Sequence, residues 1–144
     1  MADPNAPRTL RVLIVEDEAL IAWTIEDALS LQGHEPVGIA DNYAAALAMA
    51  DAEKPDLALC DVKLARGDSG IAVAEALGER GIPSLFLSGN CPEAAHHRLI
   101  VGAMEKPFRM DSLGQAIAVV QARMTGAQVG AVPAGMTLYD AVSS

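Results

Sequence analysis

Residues 56–64 read DLALCDVKL, and the fold turns on how this stretch is understood. Leu57-Ala58-Leu59-Cys60 is an apolar run of the length a fully buried strand needs. Asp61 follows at its end, with Val62 and Leu64 close behind. An ionised carboxylate beside a buried strand is costly unless something pairs with it or uses it. Asp61 is therefore either the first residue of a loop or part of a site that the strand exists to position.

Outward from this run, short aliphatic segments alternate with longer amphipathic ones. Leu10 to Val15 (LRVLIV) reads as a strand, Glu18 to Gln32 as a helix stopped by Gly33, and Pro36 to Ala40 as a second strand. Asn42 to Glu53 reads as a helix capped by Asp41 or Asn42. After Leu57 to Cys60 comes a turn-rich loop, ARGDSG at 65–70, and a helix over Ile71 to Glu79. Pro83 to Leu87 (PSLFL) is a fourth strand, with a short helix near Pro92 to Leu99 and a brief fifth strand from Gly102 to Glu105. Met110 to Met124 closes the pattern as a helix with Leu113, Ile117 and Val120 on one face. Five strand–helix pairs in alternation predict an α/β fold, a parallel sheet with helices on both faces and right-handed crossovers. In such sheets, sites form outside the carboxyl ends of the strands.

The 144 residues suit one domain over 10–124, preceded by a disordered segment at 1–9 and followed by a flexible tail at 125–144. Hydrophobic residues are 51% and aromatics only 3%, so the core is aliphatic and rich in alanine. No run approaches the roughly 18 consecutive apolar residues of a membrane span. MADPNAPRTLR has no apolar segment before a cleavage site, and the expected location is the cytoplasm. Cys60 and Cys91 have no metal or redox spacing. His96 and His97, adjacent in sequence, face different directions on a helix and make a poor metal pair. A net charge of −9, with scattered bases, disfavours a nucleic-acid partner.

The strand ends carry the chemistry. Strand one ends in Glu16-Asp17, strand three in Asp61, strand four in Ser88-Gly89 and strand five in Lys106-Pro107. Three carboxylates alone would repel one another, and a hard divalent cation among them relieves this. Mg²⁺ takes such oxygen ligands together with water and phosphate oxygens. One carboxylate can then act as nucleophile toward a phosphoryl group, Lys106 can neutralise its oxygens and Ser88 can donate to one of them. Taken singly, Glu16, Asp17 and Glu18 would read as an acidic helix start, and Lys106 as a surface lysine. Their coincidence at successive strand ends favours a site.

VLIVEDE, DLALCD, LFLSG and EKPF, in this order over residues 10 to 124, resemble the motifs of the bacterial response-regulator receiver domain of the CheY-like superfamily. The resemblance implies a flavodoxin-like (βα)5 doubly wound sheet of five strands ordered 2-1-3-4-5. It implies a stand-alone phosphorelay component that takes a phosphoryl group from a histidine kinase or phosphotransfer protein, with slow aspartyl-phosphate hydrolysis and output by protein contact. Asp61 is then the phosphoacceptor, Ser88 the switch hydroxyl, Lys106 the conserved lysine, and Glu16 and Asp17 the acidic metal pair. The Lys63 backbone carbonyl would complete the Mg²⁺ shell. A monomer or weak dimer is expected.

Three features depart from that family. Ala103 stands where many receivers carry an aromatic, three residues before the lysine. Only 17 residues separate Ser88 from Lys106, predicting a short or irregular fourth helix. The loop after Asp61, VKLARGDSG, lacks the usual proline. These traits resemble a divergent subgroup associated with alphaproteobacteria. Lys63 adds a cation that either pairs with Glu16 or Asp17 when no metal is bound or points to solvent. On the first helix, Ile21, Ile25, Ala28 and Leu29 form the buried face, which turns Trp23 outward with Leu20 and Leu31 on its flank. In the family this helix meets the kinase or phosphotransfer bundle. The tail carries one late apolar cluster, Met136-Leu138-Tyr139, expected to be disordered or else docked on the domain or a partner.

Other functions compete with this one. A Mg²⁺-dependent phosphatase working through an aspartyl phosphate needs a second acid beside its nucleophile, where Val62 and Lys63 stand. A flavodoxin-like FMN carrier needs a phosphate loop after strand one, where Glu16-Asp17-Glu18 would repel the anion. A degenerate scaffold would not need the acidic pair, Asp61 and Lys106.

Overall fold

A computed structural model describes residues 9–64, 67–92 and 97–139. Its elements are β1 (Arg11–Val15), α1 (Ala19–Leu31), β2 (Glu35–Ala40), α2 (Tyr43–Glu53), β3 (Leu57–Cys60), α3 (Gly70–Glu79), β4 (Ser84–Ser88), β5 (Ile100–Glu105), α4 (Met110–Thr125) and β6 (Met136–Leu138). The sheet runs β2-β1-β3-β4-β5-β6. The first five strands are parallel, and β6 is antiparallel to β5.

All four residues of β3 are buried because both faces of the sheet are covered. Strand alternation sends Val12, Ile14, Leu57 and Leu59 into a cluster with Ile25 and Leu29 of α1 and Leu113, Ile117 and Val120 of α4. Leu13, Val15, Ala58 and Cys60 enter the opposite cluster with Ala46 and Ala50 of α2 and Val73, Ala74 and Leu77 of α3. Small alanines on α2 let that helix lie close to the sheet. Burial pushes the Cys60 thiol up to about 12, so it packs as a small apolar group.

Local signals set the helix starts. The Asn42 side chain accepts from the Ala45 N–H at 2.9 Å, which selects Asn42 over Asp41 as the α2 cap. Ser69 accepts from the N–H groups of Ile71 and Ala72 and caps α3. Gly70 must be glycine, since a Cβ there would lie 1.6 Å from the Asp61 carbonyl oxygen. The start of α3 thus packs directly on the end of β3.

Two expectations change. The sheet has six strands instead of five, because Met136–Leu138 of the tail adds to the β5 edge. Within the tail, these residues follow the docked alternative over disorder. Gly102 permits the approach, as a Cβ there would meet the Thr137 carbonyl oxygen at 2.4 Å. The helix expected near Pro92 to Leu99 falls largely on residues 93–96, which lie outside the described residues together with 1–8, 65–66 and 140–144. Residues 97–99 form a turn into β5, which starts two residues before Gly102. His96 is also outside the described residues, and His97 lies half-buried with Nε2 at 3.3 Å from Glu79 Oε1. Among the described residues, no helix is long and apolar enough to cross a membrane.

Candidate functional site

The parallel register brings the ends of β1, β3, β4 and β5 to one edge. Val15 pairs with Cys60, Phe86 pairs with both Cys60 and Ala103, and Ser88 pairs with Glu105. The next residues along are Glu16 and Asp17, Asp61, and Lys106. Backbone bonds hold them there: Glu16 N–H donates to Ala40 O, Asp61 N–H to Val15 O, and Lys106 N–H to Ser88 O. The acceptor strand's end is therefore tied to the end of β1, and the lysine to the end of β4.

Carboxylate oxygens of Glu16, Asp17 and Asp61 lie within 4.8 Å of one another. Glu16 and Asp61 are buried, whereas Asp17 is exposed. The Lys106 ammonium sits 2.5 Å from Glu16 Oε1 and 3.4 Å from Asp61 Oδ2. Glu16 also accepts through Oε2 from the N–H groups of Asp17 and Glu18. Asp61 Oδ1 accepts from the Lys63 N–H at 3.2 Å.

Burial raises the Glu16 carboxyl to about 7, opposed by the hydrogen bond from Lys106 and assisted by neighbouring Asp61. For Lys106, burial pulls downward, but contacts with Glu16 and Asp61 outweigh it and hold the ammonium above its usual range. The lysine therefore keeps the proton of the pair, and the carboxylates share its single positive charge.

Ser88 is buried at the end of β4, and its Oγ accepts from the Asn90 N–H at 3.3 Å. Lys63 follows the solvent-facing one of its two readings. Its side chain is exposed and joins neither Glu16 nor Asp17 among the described residues, while its backbone bridges Ser69. The cation on Glu16 is Lys106, which reaches across from β5. Trp23, Leu20 and Leu31 are exposed on α1 at 56%, 76% and 89%.

Oxygen ligands dominate the cluster, and three carboxylates in one place form the donor set a hard divalent cation takes. Tyr139 lies in the same buried cluster as Phe86 and Ala103, as the docked alternative for the tail has it. Its only sequence signal was the apolar spacing of Met136-Leu138-Tyr139 in a Gly- and Ala-rich tail.

The doubly wound α/β sheet, with carboxylates and a lysine converging at its strand ends, has the architecture of a CheY-like receiver domain. A family model for the response regulator receiver domain matches residues 12–118, and the chain belongs to that family. It is 36% identical over 126 residues to the transcriptional regulatory protein PdtaR of Mycobacterium tuberculosis, covering 85% of this chain and 60% of PdtaR. The crystal structure of the response regulator PhyR from Brucella abortus superposes with a TM-score of 0.68 at 34% identity, covering 85% of this chain and 51% of that one. The solution structure of SdrG from Sphingomonas melonis Fr1 gives a TM-score of 0.64 at 36% identity, over 78% of this chain and 97% of SdrG. The chain thus spans less than two thirds of PdtaR and about half of PhyR.

Proposed function

We propose that this receiver domain accepts a phosphoryl group on Asp61 from a phosphohistidine donor and signals by protein contact. The observation that carries this is the placement of the Lys106 ammonium 3.4 Å from Asp61 Oδ2, beside a carboxylate cluster within 4.8 Å. An Asp61 carboxylate oxygen attacks phosphorus, the P–N bond breaks, and the imidazole nitrogen leaves with the electron pair. The Lys106 ammonium balances charge on the phosphoryl oxygens, and the Ser88 hydroxyl donates to one of them. Water later attacks phosphorus and breaks the bond to Asp61, which regenerates the carboxylate and releases phosphate.

The carboxylates of Glu16, Asp17 and Asp61, with the Lys63 carbonyl, are the groups that would hold Mg²⁺. Bound there, the ion supplies positive charge for the phosphoryl oxygens. Glu16 and Asp17 would anchor it, and the Lys106 ammonium bonds Glu16 from the side of β5.

The donor's docking surface is read from α1. Ile21, Thr24, Lys106, Phe108 and Met110 line a largely apolar groove of about 340 Å³ between α1 and the start of α4. Leu20 and Thr24 are one turn apart on α1, and Trp23 lies one turn from Leu20, so exposed apolar groups border a groove that ends at Lys106. A helical phosphodonor could seat there with its imidazole directed toward Asp61.

The test is intact mass after incubation with Mg²⁺ and acetyl phosphate or a phosphorylated histidine kinase. A gain of one phosphoryl group that disappears in Asp61→Asn supports the proposal. No gain, or a gain that persists in Asp61→Asn, overturns it.

A further inference from the structure

The phosphoacceptor function gives no part to the buried side chain of Tyr139. Tyr139, at the end of β6, is 4% exposed and held from four directions. Its N–H donates to Val101 O at 2.9 Å, and its carbonyl accepts from Arg123 Nη2 at 2.8 Å. Its ring meets Phe86 edge-on, with centroids 6.4 Å apart and planes at 67°. Its hydroxyl donates to Pro92 O at 2.6 Å. Burial pushes the phenol up to about 12, so at neutral pH it remains a hydrogen-bond donor.

Pro92 belongs to the segment that leaves β4 at Ser88. Within it, Ser88 Oγ accepts from Asn90 N–H, and Ser88 O accepts from the Cys91 thiol at 3.3 Å. The segment thus begins at Ser88, beside the acceptor edge, and is tied at Pro92 to Tyr139, which follows β6. Opposite Phe86, β5 supplies only Ala103. Cys91, Pro92, Ala103, Gly135 and Thr137 line a cavity of about 280 Å³ between the segment and β6. Ala103 presents only a methyl to this space, and the aromatic packed on Phe86 is Tyr139, which follows β6.

β6 is three residues long and paired on one side only. Short edge strands belong to the low-stability end of a fold, so the loss of one buried anchor shifts their equilibrium. We propose that β6 and Tyr139 form a latch that reports the state of Asp61. When the Ser88 hydroxyl turns to an oxygen on phosphorylated Asp61, the Ser88–Pro92 segment moves into the cavity, the Tyr139–Pro92 hydrogen bond breaks, and β6 loosens from β5. Tyr139 is a positioning residue in this device and touches no reacting atom. The loosened strand bares the β5 edge, which changes what the domain can bind. The latch rests on the phosphoacceptor function proposed above.

Hydrogen exchange on the full chain, with and without Mg²⁺ and beryllofluoride, tests it, with fluorine NMR recording whether beryllofluoride is bound. Amides of Met136–Tyr139 are expected to exchange at least about threefold faster with beryllofluoride in the wild type, and not in Asp61→Asn. Tyr139→Phe keeps the ring and removes the hydroxyl, so its β6 amides should exchange fast even without beryllofluoride while β1 and β3 stay protected. Gly102→Ala ejects β6 from the opposite side and should loosen Ser88–Pro92 in turn. Bound beryllofluoride with unchanged β6 exchange overturns the latch and leaves phosphoryl acceptance standing. No bound beryllofluoride overturns both. Wild-type protection of Ser88–Pro92 in Gly102→Ala, with β6 displaced, overturns the latch alone.

Discussion

Replacing Lys106 by Met keeps an unbranched side chain, shorter by one heavy atom, and removes the charge from between Glu16 and Asp61. The two carboxylates, with oxygens within 4.8 Å, then face each other without the ammonium. At an effective dielectric of about 20, their repulsion is at least ~3 kcal/mol, and the folded protein avoids it by keeping a proton on Glu16. In the wild type, Glu16 titrates near 7, so its effect on stability is complete once the pH passes that value. In Lys106→Met the Glu16 pKa moves higher, because both influences of the lysine on it point downward. The folded state then holds a proton that the unfolded chain releases, and stability keeps falling above pH 7. The slope is about 1.4 kcal/mol per pH unit, for a loss near 3 kcal/mol relative to wild type by pH 9. Urea unfolding in EDTA, followed by circular dichroism from pH 5 to 9, measures it. Millimolar Mg²⁺ should restore much of the loss, since a ligand of the native state alone stabilises it. Parallel wild-type and Lys106→Met curves across pH 7 to 9 would show that Lys106 does not hold the Glu16 pKa down.

Three more outcomes follow from the same geometry. The Glu16 pKa of about 7 stands above its ordinary 4.5, so the folded state binds more protons between those values and stability falls as pH rises through that window. Metal-free Glu16→Gln should lack that fall, worth about 3 kcal/mol, when its pH–stability curve is subtracted from that of the wild type. Gly70→Ala forces a Cβ to 1.6 Å from the Asp61 carbonyl and should cost about 3 kcal/mol or more in thermal unfolding, whereas Gly33→Ala, at φ +84° in open space, should cost about 1 kcal/mol. Trp23→Ala, at an exposed position, should change stability by less than about 0.5 kcal/mol while lowering the rate of phosphotransfer from a cognate kinase but not from acetyl phosphate. Equal rates from the kinase would remove Trp23 from the docking surface.

Much of this geometry is legible in the chain because parallel strands are read from their ends. Leu57-Ala58-Leu59-Cys60 is apolar throughout since both its faces are covered, and the polar residue that follows it sits where the sheet stops. The same logic places Glu16, Ser88 and Lys106 at one edge without knowledge of any contact. Trp23 is legible for a similar reason, since the 100° step of a helix sends it away from Ile25 and Leu29. Contact partners are another matter. Lys63 is nearest to Asp61 in sequence, but the cation that reaches Glu16 is Lys106, ninety residues away along the chain. Periodicity says nothing about such a long-range choice. β6 stays hidden because three residues carry too little alternation to mark a strand, and its clues are a glycine at 102 and a tyrosine at 139 in distant segments.

Asp61 is the proposed recipient of the phosphoryl group, and chemical trapping locates the modified residue directly. Borohydride reduction of the protein after phosphorylation converts an aspartyl phosphate to homoserine at the modified position, and peptide mass spectrometry locates it. Homoserine at 61, absent without Mg²⁺ and strongly reduced in Lys106→Met, is the predicted result. Homoserine at Asp17, Asp56 or Asp68 instead, or at no position, would contradict the account.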